Sequence, residues 1–71
     1  MTIFLLHEKC FYDGDFGHYN VYPYQRYNDV VQRIMDETGF TRDRIQNDLS
    51  VGDCCVKAGN FVYEVEETEI L

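Results

Sequence analysis

The sequence predicts an α+β fold, in which an antiparallel sheet of about four strands, in the chain order ββααββ, carries one main helix and one short helix on one face. Three observations predict this fold. The chain opens on an apolar run typical of a strand, a middle segment has apolar residues at helical spacing, and the last third alternates around a Gly-Asn pair. Because the chain has only 71 residues, we expect a single domain covering residues 1–71.

Two strands are predicted before the first helix. Residues 2–7 are mostly apolar at both odd and even positions, which is typical of a central strand buried on both sides. Residues 13–15 form an Asp-Gly-Asp turn. Residues 16–22 resume a strand, and Pro23 ends that strand or places it at an edge. Alternation gives this strand one face with Phe16, His18, Asn20 and Tyr22 and another with Gly17, Tyr19 and Val21.

The main helix is predicted between Asn28 and Gly39. Asn28 is a favourable N-cap residue, and Gly39 suits the left-handed position just after a helix. Phe40 follows that position, where an apolar residue often contacts the last turn, so we expect it to meet Met35. The apolar positions of the helix recur with helical spacing at Val30, Val31, Ile34 and Met35.

A second, short helix is predicted from Thr41, which is another favourable N-cap residue. Phe40 before the cap and Ile45 within the helix match a hydrophobic staple, and Leu49 lies one turn further on. Residues 50–53 are predicted to form a turn that leads into the last two strands.

The last two strands are predicted to form a hairpin around Gly59 and Asn60, which are favoured in two-residue connections. The implied pairs are Ala58 with Phe61, Lys57 with Val62, Val56 with Tyr63, and Cys54 with Val65. One face is apolar and consists of Cys54, Val56, Ala58, Phe61, Tyr63 and Val65. The other is mostly polar and consists of Cys55, Lys57, Val62, Glu64 and Glu66. The pattern therefore predicts a half-buried hairpin.

The charge balance narrows the classes of partner. Six Lys and Arg against 13 Asp and Glu give a formal net charge of -7, which argues against binding to DNA, RNA or anionic lipid. A basic protein surface fits this charge, and so does simple solubility. The apolar run at residues 3–6 is far shorter than the ~18–20 residues of a membrane helix. The N-terminal segment does not resemble a signal peptide, so we expect a cytoplasmic protein without membrane contact.

The residues with metal-binding or catalytic chemistry form no known motif. Those with zinc-ligand chemistry are His7, Cys10, Cys54 and Cys55. They include no Cys-x2-Cys pair, and Cys54 and Cys55 are adjacent in a strand and point to opposite faces. The segment from Asp13 to Tyr24 fails the calcium-loop pattern. We therefore expect no metal, no cofactor and no catalytic residue, with a small metalloprotein as an alternative.

Two surface features point to protein binding. Seven of the 11 aromatic residues lie within residues 11–27, too many for one face of a strand pair, so some Tyr side chains should reach the surface. They would serve an interface or simply cover the edge of a small core. The C-terminal strand is acidic, which suits a basic partner or a solvated edge. The candidate partner-binding residues are Asp13, Asp15, Tyr19, Tyr22, Tyr24, Glu64, Glu66, Glu67 and Glu69.

The chain as a whole resembles small bacteriophage-encoded ββαββ accessory proteins. The residues that carry the resemblance are the opening residues 1–8, the turn at residues 13–15, the helix beginning near Asn28 and the aromatic-led acidic ending at residues 61–69. Residues 49–53 (Leu-Ser-Val-Gly-Asp), followed by a hairpin, are similar to the end of YodL-like domains of plasmids and mobile elements. Both resemblances imply a mobile-element accessory protein. Small acidic phage proteins of this kind often bind and block a host enzyme or defence complex.

These observations give two functional hypotheses. The first is a phage-type inhibitor or modulator in the host cytoplasm, which docks an acidic, Tyr-rich surface on the basic surface of a host protein, such as a nuclease or a CRISPR-type complex. The second is a structural or self-assembling accessory protein. Because the helices cover only one face of the predicted sheet, the uncovered face would then be closed by a second copy in a homodimer.

Overall fold

The computed structural model describes residues 1–13, 15–50 and 55–70, and for Phe16 the backbone alone. It confirms the α+β class, with a four-stranded antiparallel sheet and two helices. The elements follow the predicted order: β1 (Thr2–Tyr12), β2 (Asp15–Tyr24), α1 (Tyr27–Thr38), α2 (Arg42–Ser50), β3 (Cys55–Ala58) and β4 (Phe61–Glu69). None of the helices in these ranges is long and apolar enough to cross a membrane.

The strand order in the sheet is β2-β1-β4-β3, so β1 is central, as predicted. It continues to Tyr12 because it pairs along most of its length with both β2 and β4. The prediction that this strand is buried on both sides is wrong. Its side chains alternate between the helix-covered face, where Leu6 and Cys10 are buried, and an open face, where His7 and Lys9 are only half-buried. Both helices lie on one side, and no described residue outside the sheet covers the other side.

The core lies between the sheet and the two helices. Leu6 from β1, Val56 from β3 and Tyr63 from β4 meet apolar side chains of the helices. The helical members of this core are Val30, Val31, Ile34 and Ile45, all fully buried. The spacing of three or four residues from Val30 and Val31 to Ile34 places one stripe of α1 against the sheet, and Ile45 is the buried residue of α2. Met35 and Phe40 pack against this cluster, which agrees with their predicted positions at the end of α1.

The predicted helix ends are confirmed at two of three places. Gly39 has φ 78° and its N–H donates to the Met35 carbonyl at 2.8 Å, which is the left-handed C-terminal stop. The Thr41 hydroxyl accepts a hydrogen bond from the Arg44 N–H at 3.2 Å and caps α2. The prediction of Asn28 as N-cap is wrong, because α1 begins at Tyr27 and Arg26 occupies the cap position without a side-chain bond.

The hairpins position the two faces of the sheet. Pro23 lies on the edge strand β2, one of the two positions predicted for it. The β3–β4 register pairs Val56 with Tyr63 and Ala58 with Phe61 across the Gly59-Asn60 turn, as predicted. The predicted pair of Cys54 with Val65 and the predicted turn at residues 51–53 lie outside the described residues. Residue 50, predicted to start that turn, is the last residue of α2 instead.

Candidate protein-binding surface

The side of the sheet that faces away from the helices forms a continuous surface, which we call the open face. It consists of alternate residues of all four strands. Its members in the described part include Ile3, Leu5, His7, Lys9, Phe11, Tyr19, Val21, Pro23, Cys55, Lys57, Val62, Glu64, Glu66 and Thr68. The open face therefore combines apolar side chains with charges of both signs.

A chain of hydrogen bonds crosses the centre of the open face. The His7 Nε2 lies 2.9 Å from Glu66 Oε1, and because a carboxylate only accepts, Nε2–H donates there. In the neutral ring, Nδ1 then accepts from the Tyr19 hydroxyl. This arrangement links β2, β1 and β4. It fixes the orientation of the imidazole, which is itself largely shielded by its neighbours.

Lys9 forms a second polar contact on this face. Its ammonium group lies 3.1 Å from Glu64 Oε1 and 5.8 Å from the centre of the Tyr19 ring. His7 and Lys9 are thus both held by carboxylates of β4. The acidic strand is partly neutralised here, so the open face is less negative than the sequence of β4 suggests.

The end of the open face near the chain termini is more apolar. Ile3 and Leu5 of β1 are half-buried there, although no described residue covers them from this side. Val21 and Pro23 of β2 are exposed beside them, with Val21 at 44% of its full exposure. Tyr19, further along β2, is 45% exposed. Aliphatic and aromatic side chains displayed side by side are typical of a surface that another protein covers.

The candidate partner-binding residues lie in three separate regions and form no single acidic patch. Asp13 and Asp15 are at the tip of the β1–β2 hairpin, at the end of the sheet opposite Glu69. Tyr19, Glu64 and Glu66 lie on the open face. The remaining candidates, Tyr22, Tyr24, Glu67 and Glu69, point to the helix side. Alternation along β4 separates its carboxylates in this way.

Tyr22 and Tyr24 have a structural role. Both are half-buried and pack against the core cluster, which agrees with the interpretation that some tyrosines cover the edge of a small core. The Arg33 guanidinium lies 4.9 Å from the centre of the Tyr22 ring, in cation–π contact. Of the three tyrosines among the candidate partner-binding residues, Tyr19 alone lies on the open face.

A buried carboxyl cluster on the helix side was not predicted. Glu8 of β1 is only 8% exposed, and its Oε2 has no hydrogen-bond partner in the described part of the chain. The Arg33 Nη2 is 4.0 Å from that oxygen, while the Arg33 Nε donates to Glu37 Oε1 at 2.6 Å. Burial raises the pKa of Glu8, and hydrogen bonding to Glu37 raises this pKa further. Burial and a hydrogen bond to Glu37 also raise the pKa of Tyr63.

One signal in the sequence could have revealed this cluster. Alternate residues of a strand point to the same face, so Glu8 shares a face with Leu6 and Cys10 if β1 continues beyond His7. A carboxyl group then lies on an apolar face. Such a group is expected to be protonated or to have a cation beside it. The helix partner, Arg33, is distant in sequence and could not be assigned to it.

A cavity of about 240 Å³ opens between the helices and the sheet, lined by Phe4, Tyr27, Leu49, Val65 and Glu67. Phe4 and Tyr27 meet edge to face with ring centres 5.6 Å apart. The cavity is smaller than the ~300 Å³ at which small-molecule sites usually begin. Among these described lining residues Glu67 supplies the one charged group, and a single carboxylate is no constellation for catalysis.

The zinc-ligand candidates among the described residues do not lie together. Cys55 is on β3, with the whole of β4 between it and β1. His7 lies on the open face and Cys10 is buried on the helix side, while Cys54 is outside the described residues. Within residues 1–13, 15–50 and 55–70, no group of three His, Cys, Asp or Glu side chains is arranged to hold a metal ion.

Comparisons with models of protein families, with curated proteins and with solved structures gave no match.

Proposed function

We propose that this chain is a small acidic protein-binding protein that occupies and blocks a basic surface of another protein. The carboxylates without a cationic partner support this proposal. The six described acidic side chains outside any ion pair with a described residue are Asp13, Asp15, Asp29, Asp36, Asp43 and Glu67. They leave a surplus of negative charge that the chain does not neutralise internally.

Three of these six have a role within the fold. Asp29 and Asp43 lie in the first turns of the two helices, where a negative charge stabilises the helix dipole. Asp36 accepts a hydrogen bond from Gln32. Asp13 has φ 50°, a left-handed conformation that Asp tolerates better than most residues. The carboxylates of Asp13 and Asp15, however, form no hydrogen bond or ion pair with a described residue and lie exposed at the tip of the β1–β2 hairpin. This tip is the part of the acidic surface with the clearest reason to serve a partner.

The tip also displays an aromatic ring. Tyr12 is 56% exposed and directly precedes Asp13. The Tyr12 ring packs directly over Gly17 of β2. A Cβ at that position would collide with the ring and lie 2.9 Å from the Cys10 carbonyl oxygen. An exposed Tyr between a rigid strand and two carboxylates can stack on the apolar stem of Lys or Arg while the carboxylates bind the charged end.

The resemblance to phage accessory proteins extends the proposal to the kind of partner. A host defence or nucleic-acid-processing protein in the cytoplasm has a basic surface for phosphate groups. An acidic protein on that surface would exclude the nucleic acid by occupying the same Lys and Arg side chains. The inhibitory effect would then be competitive with nucleic acid.

Charge reversal at the tip tests this proposal. We expect the variant Asp13→Lys/Asp15→Lys to lose a captured bacterial partner while keeping the fold. The matched control is Asp36→Lys/Glu67→Lys, which changes the net charge equally but leaves the tip and the helix N-termini intact, and should retain binding. Undiminished binding by the tip variant would contradict the proposal. Equal loss in both variants would show that net charge, and not the tip, determines binding.

A second candidate function is self-association in a structural or assembly role. The observation that favours it is the open face, where half-buried apolar side chains and Tyr19 have no covering layer among the described residues. A homodimer that buries this face leaves the acidic tip outside the contact. The two candidate functions therefore use different surfaces and are compatible in one molecule.

A further inference from the structure

We propose that the open face is covered by a second copy of the chain, with β1 of one copy lying across β4 of the other. This proposal rests on the second candidate function, self-association, and specifies the contact. It concerns the side of the sheet opposite the helices and does not involve the acidic tip. Three properties of the face support it: its size, the arrangement of its charges, and the hydrogen bonds already made within it.

The size of the open face fits a small dimer. Its strands have 11, 10, 4 and 9 residues. With a strand spacing of about 4.8 Å and a rise of about 3.3 Å per residue, the face measures roughly 500 Å² per copy. Two copies would bury about 1,000 Å² in total, which is the lower bound for a specific interface. Interfaces of this small size are typical of weak complexes, and we expect a dissociation constant in the micromolar range.

The charges on the face are arranged in columns. Lys9 and His7 lie along β1, and on β4 the carboxylates of Glu64 and Glu66 lie opposite His7 and Leu5, with Glu64 diagonal to Lys9. A two-fold axis parallel to the strands, passing between these columns, places β1 of one copy over β4 of the other. Lys9 then lies over Val62 of the second copy and diagonal to its Glu64 carboxylate. The face is complementary to itself in this orientation.

The other two-fold orientation is disfavoured by the same columns. An axis that runs across the strands places β4 over β4 and β1 over β1. The Glu64 and Glu66 carboxylates would then lie over those of the second copy, and like charges brought together in an interface are strongly unfavourable. Charge complementarity thus selects the arrangement in which β1 meets β4, with the two sheets aligned.

The polar groups at the centre of the face are prepared for burial. Both ring nitrogens of His7 have partners within the sheet, and the Lys9 ammonium is paired with Glu64. Burying polar groups that are already hydrogen-bonded costs less than burying unpaired ones. A second copy can therefore cover this network without leaving its members unsatisfied.

Two charge reversals on the face test the proposal. The wild-type face carries two Lys and two Glu, so its formal charge is zero with His7 neutral. Lys9→Glu makes the formal charge of the face -2, and Glu64→Lys makes it +2. Each variant alone would repel its own copy, and we expect its dimer dissociation constant to rise by about tenfold or more. An equimolar mixture should form a heterodimer, because the two altered faces attract each other.

Sedimentation equilibrium at low salt provides the measurement. At about 100 µM, well above a micromolar dissociation constant, the wild type should have twice the 8.4 kDa mass of one chain. Each single variant should be monomeric, and the mixture should return to the dimer mass. Glu67→Lys is the matched control, since the same charge change on β4 points to the helix side and should leave the dimer intact. Circular dichroism checks that every variant is folded.

Other results would overturn the proposal. A monomeric wild type, a dimeric Glu64→Lys, or a mixture that stays monomeric each contradicts the contact of β1 with β4. If Glu64→Lys instead abolishes binding of a bacterial partner by a monomeric wild type, the occupant of the open face is that partner. The proposed inhibitory function is tested separately at Asp13 and Asp15. Failure of either proposal can therefore be recognised independently of the other.

Discussion

Replacing Glu8 with Gln should stabilise the protein at neutral pH. Glu8 is 8% exposed and its Oε2 lacks a hydrogen-bond partner among the described residues, although Arg33 is 4.0 Å away. An unsatisfied buried polar atom costs about 1–3 kcal/mol. The Gln amide keeps the shape, carries no charge and donates a hydrogen bond toward Glu37. We expect a gain of about 1–2 kcal/mol at pH 7, or about 5–10 °C in Tm for a domain of this size.

The pH dependence gives the sharper test. Burial and Glu37 raise the pKa of Glu8 above its ordinary value of 4.5, so the folded state holds this proton more tightly than the unfolded chain does. The stabilisation by protonated Glu8 is fully present below pH 4.5 and is lost as the pH rises through the raised pKa. Each pH unit between the two pKa values removes about 1.4 kcal/mol. The advantage of the Glu8→Gln variant should therefore grow from pH 4.5 upward.

Urea denaturation from pH 4 to pH 8 measures this difference. Glu67→Gln is the matched control, because Glu67 is an exposed carboxylate on the same side of the sheet and has no ion-pair partner in the described ranges. Its replacement should have little effect on stability. A stability advantage of Glu8→Gln that does not change with pH would refute the protonation argument. A Glu8→Gln protein less stable than wild type at pH 7 would refute the claim that the buried carboxyl group is unfavourable.

Two further predictions concern local structure. Gly17→Ala should lower the free energy of unfolding by about 1–3 kcal/mol, because the added Cβ meets the Tyr12 ring and the Cys10 carbonyl. Adding Tyr12→Ala to this variant should recover part of the loss, as measured by thermal denaturation. Thr41→Ala should lower the free energy of unfolding by about 1 kcal/mol, because the cap of α2 is lost. Asn28→Ala should be nearly neutral, because Asn28 is not the cap of α1. Equal losses of stability in urea denaturation would contradict this assignment.

The sequence was most informative where structure is determined by neighbouring residues. The β3–β4 register follows from the Gly59-Asn60 turn and the alternation on either side of it. The end of α1 follows from Gly39, which adopts the left-handed conformation that other residues resist. The length of β1 could not be obtained in this way. Its polar second half is a strand because β2 and β4 pair with it on both sides.

The candidate surface could be predicted only in part. Alternation alone places Glu64 and Glu66 on one face and Glu67 on the other. The pairing of His7 with Glu66, however, joins residues 59 positions apart and depends on the register between strands that are not neighbours in the chain. No local signal in the sequence determines that register. The proximity of Arg33 to Glu8 likewise depends on how α1 packs on the sheet.

Capture of partners from a bacterial lysate at low and high salt tests the central claim, that this protein binds a basic protein surface, most directly. We expect one stoichiometric basic protein that is bound by the wild type at low salt, is lost as salt rises, and is absent when Asp13→Lys/Asp15→Lys is the bait. A bound protein that resists high salt and is retained equally by the reversed tip would contradict the claim.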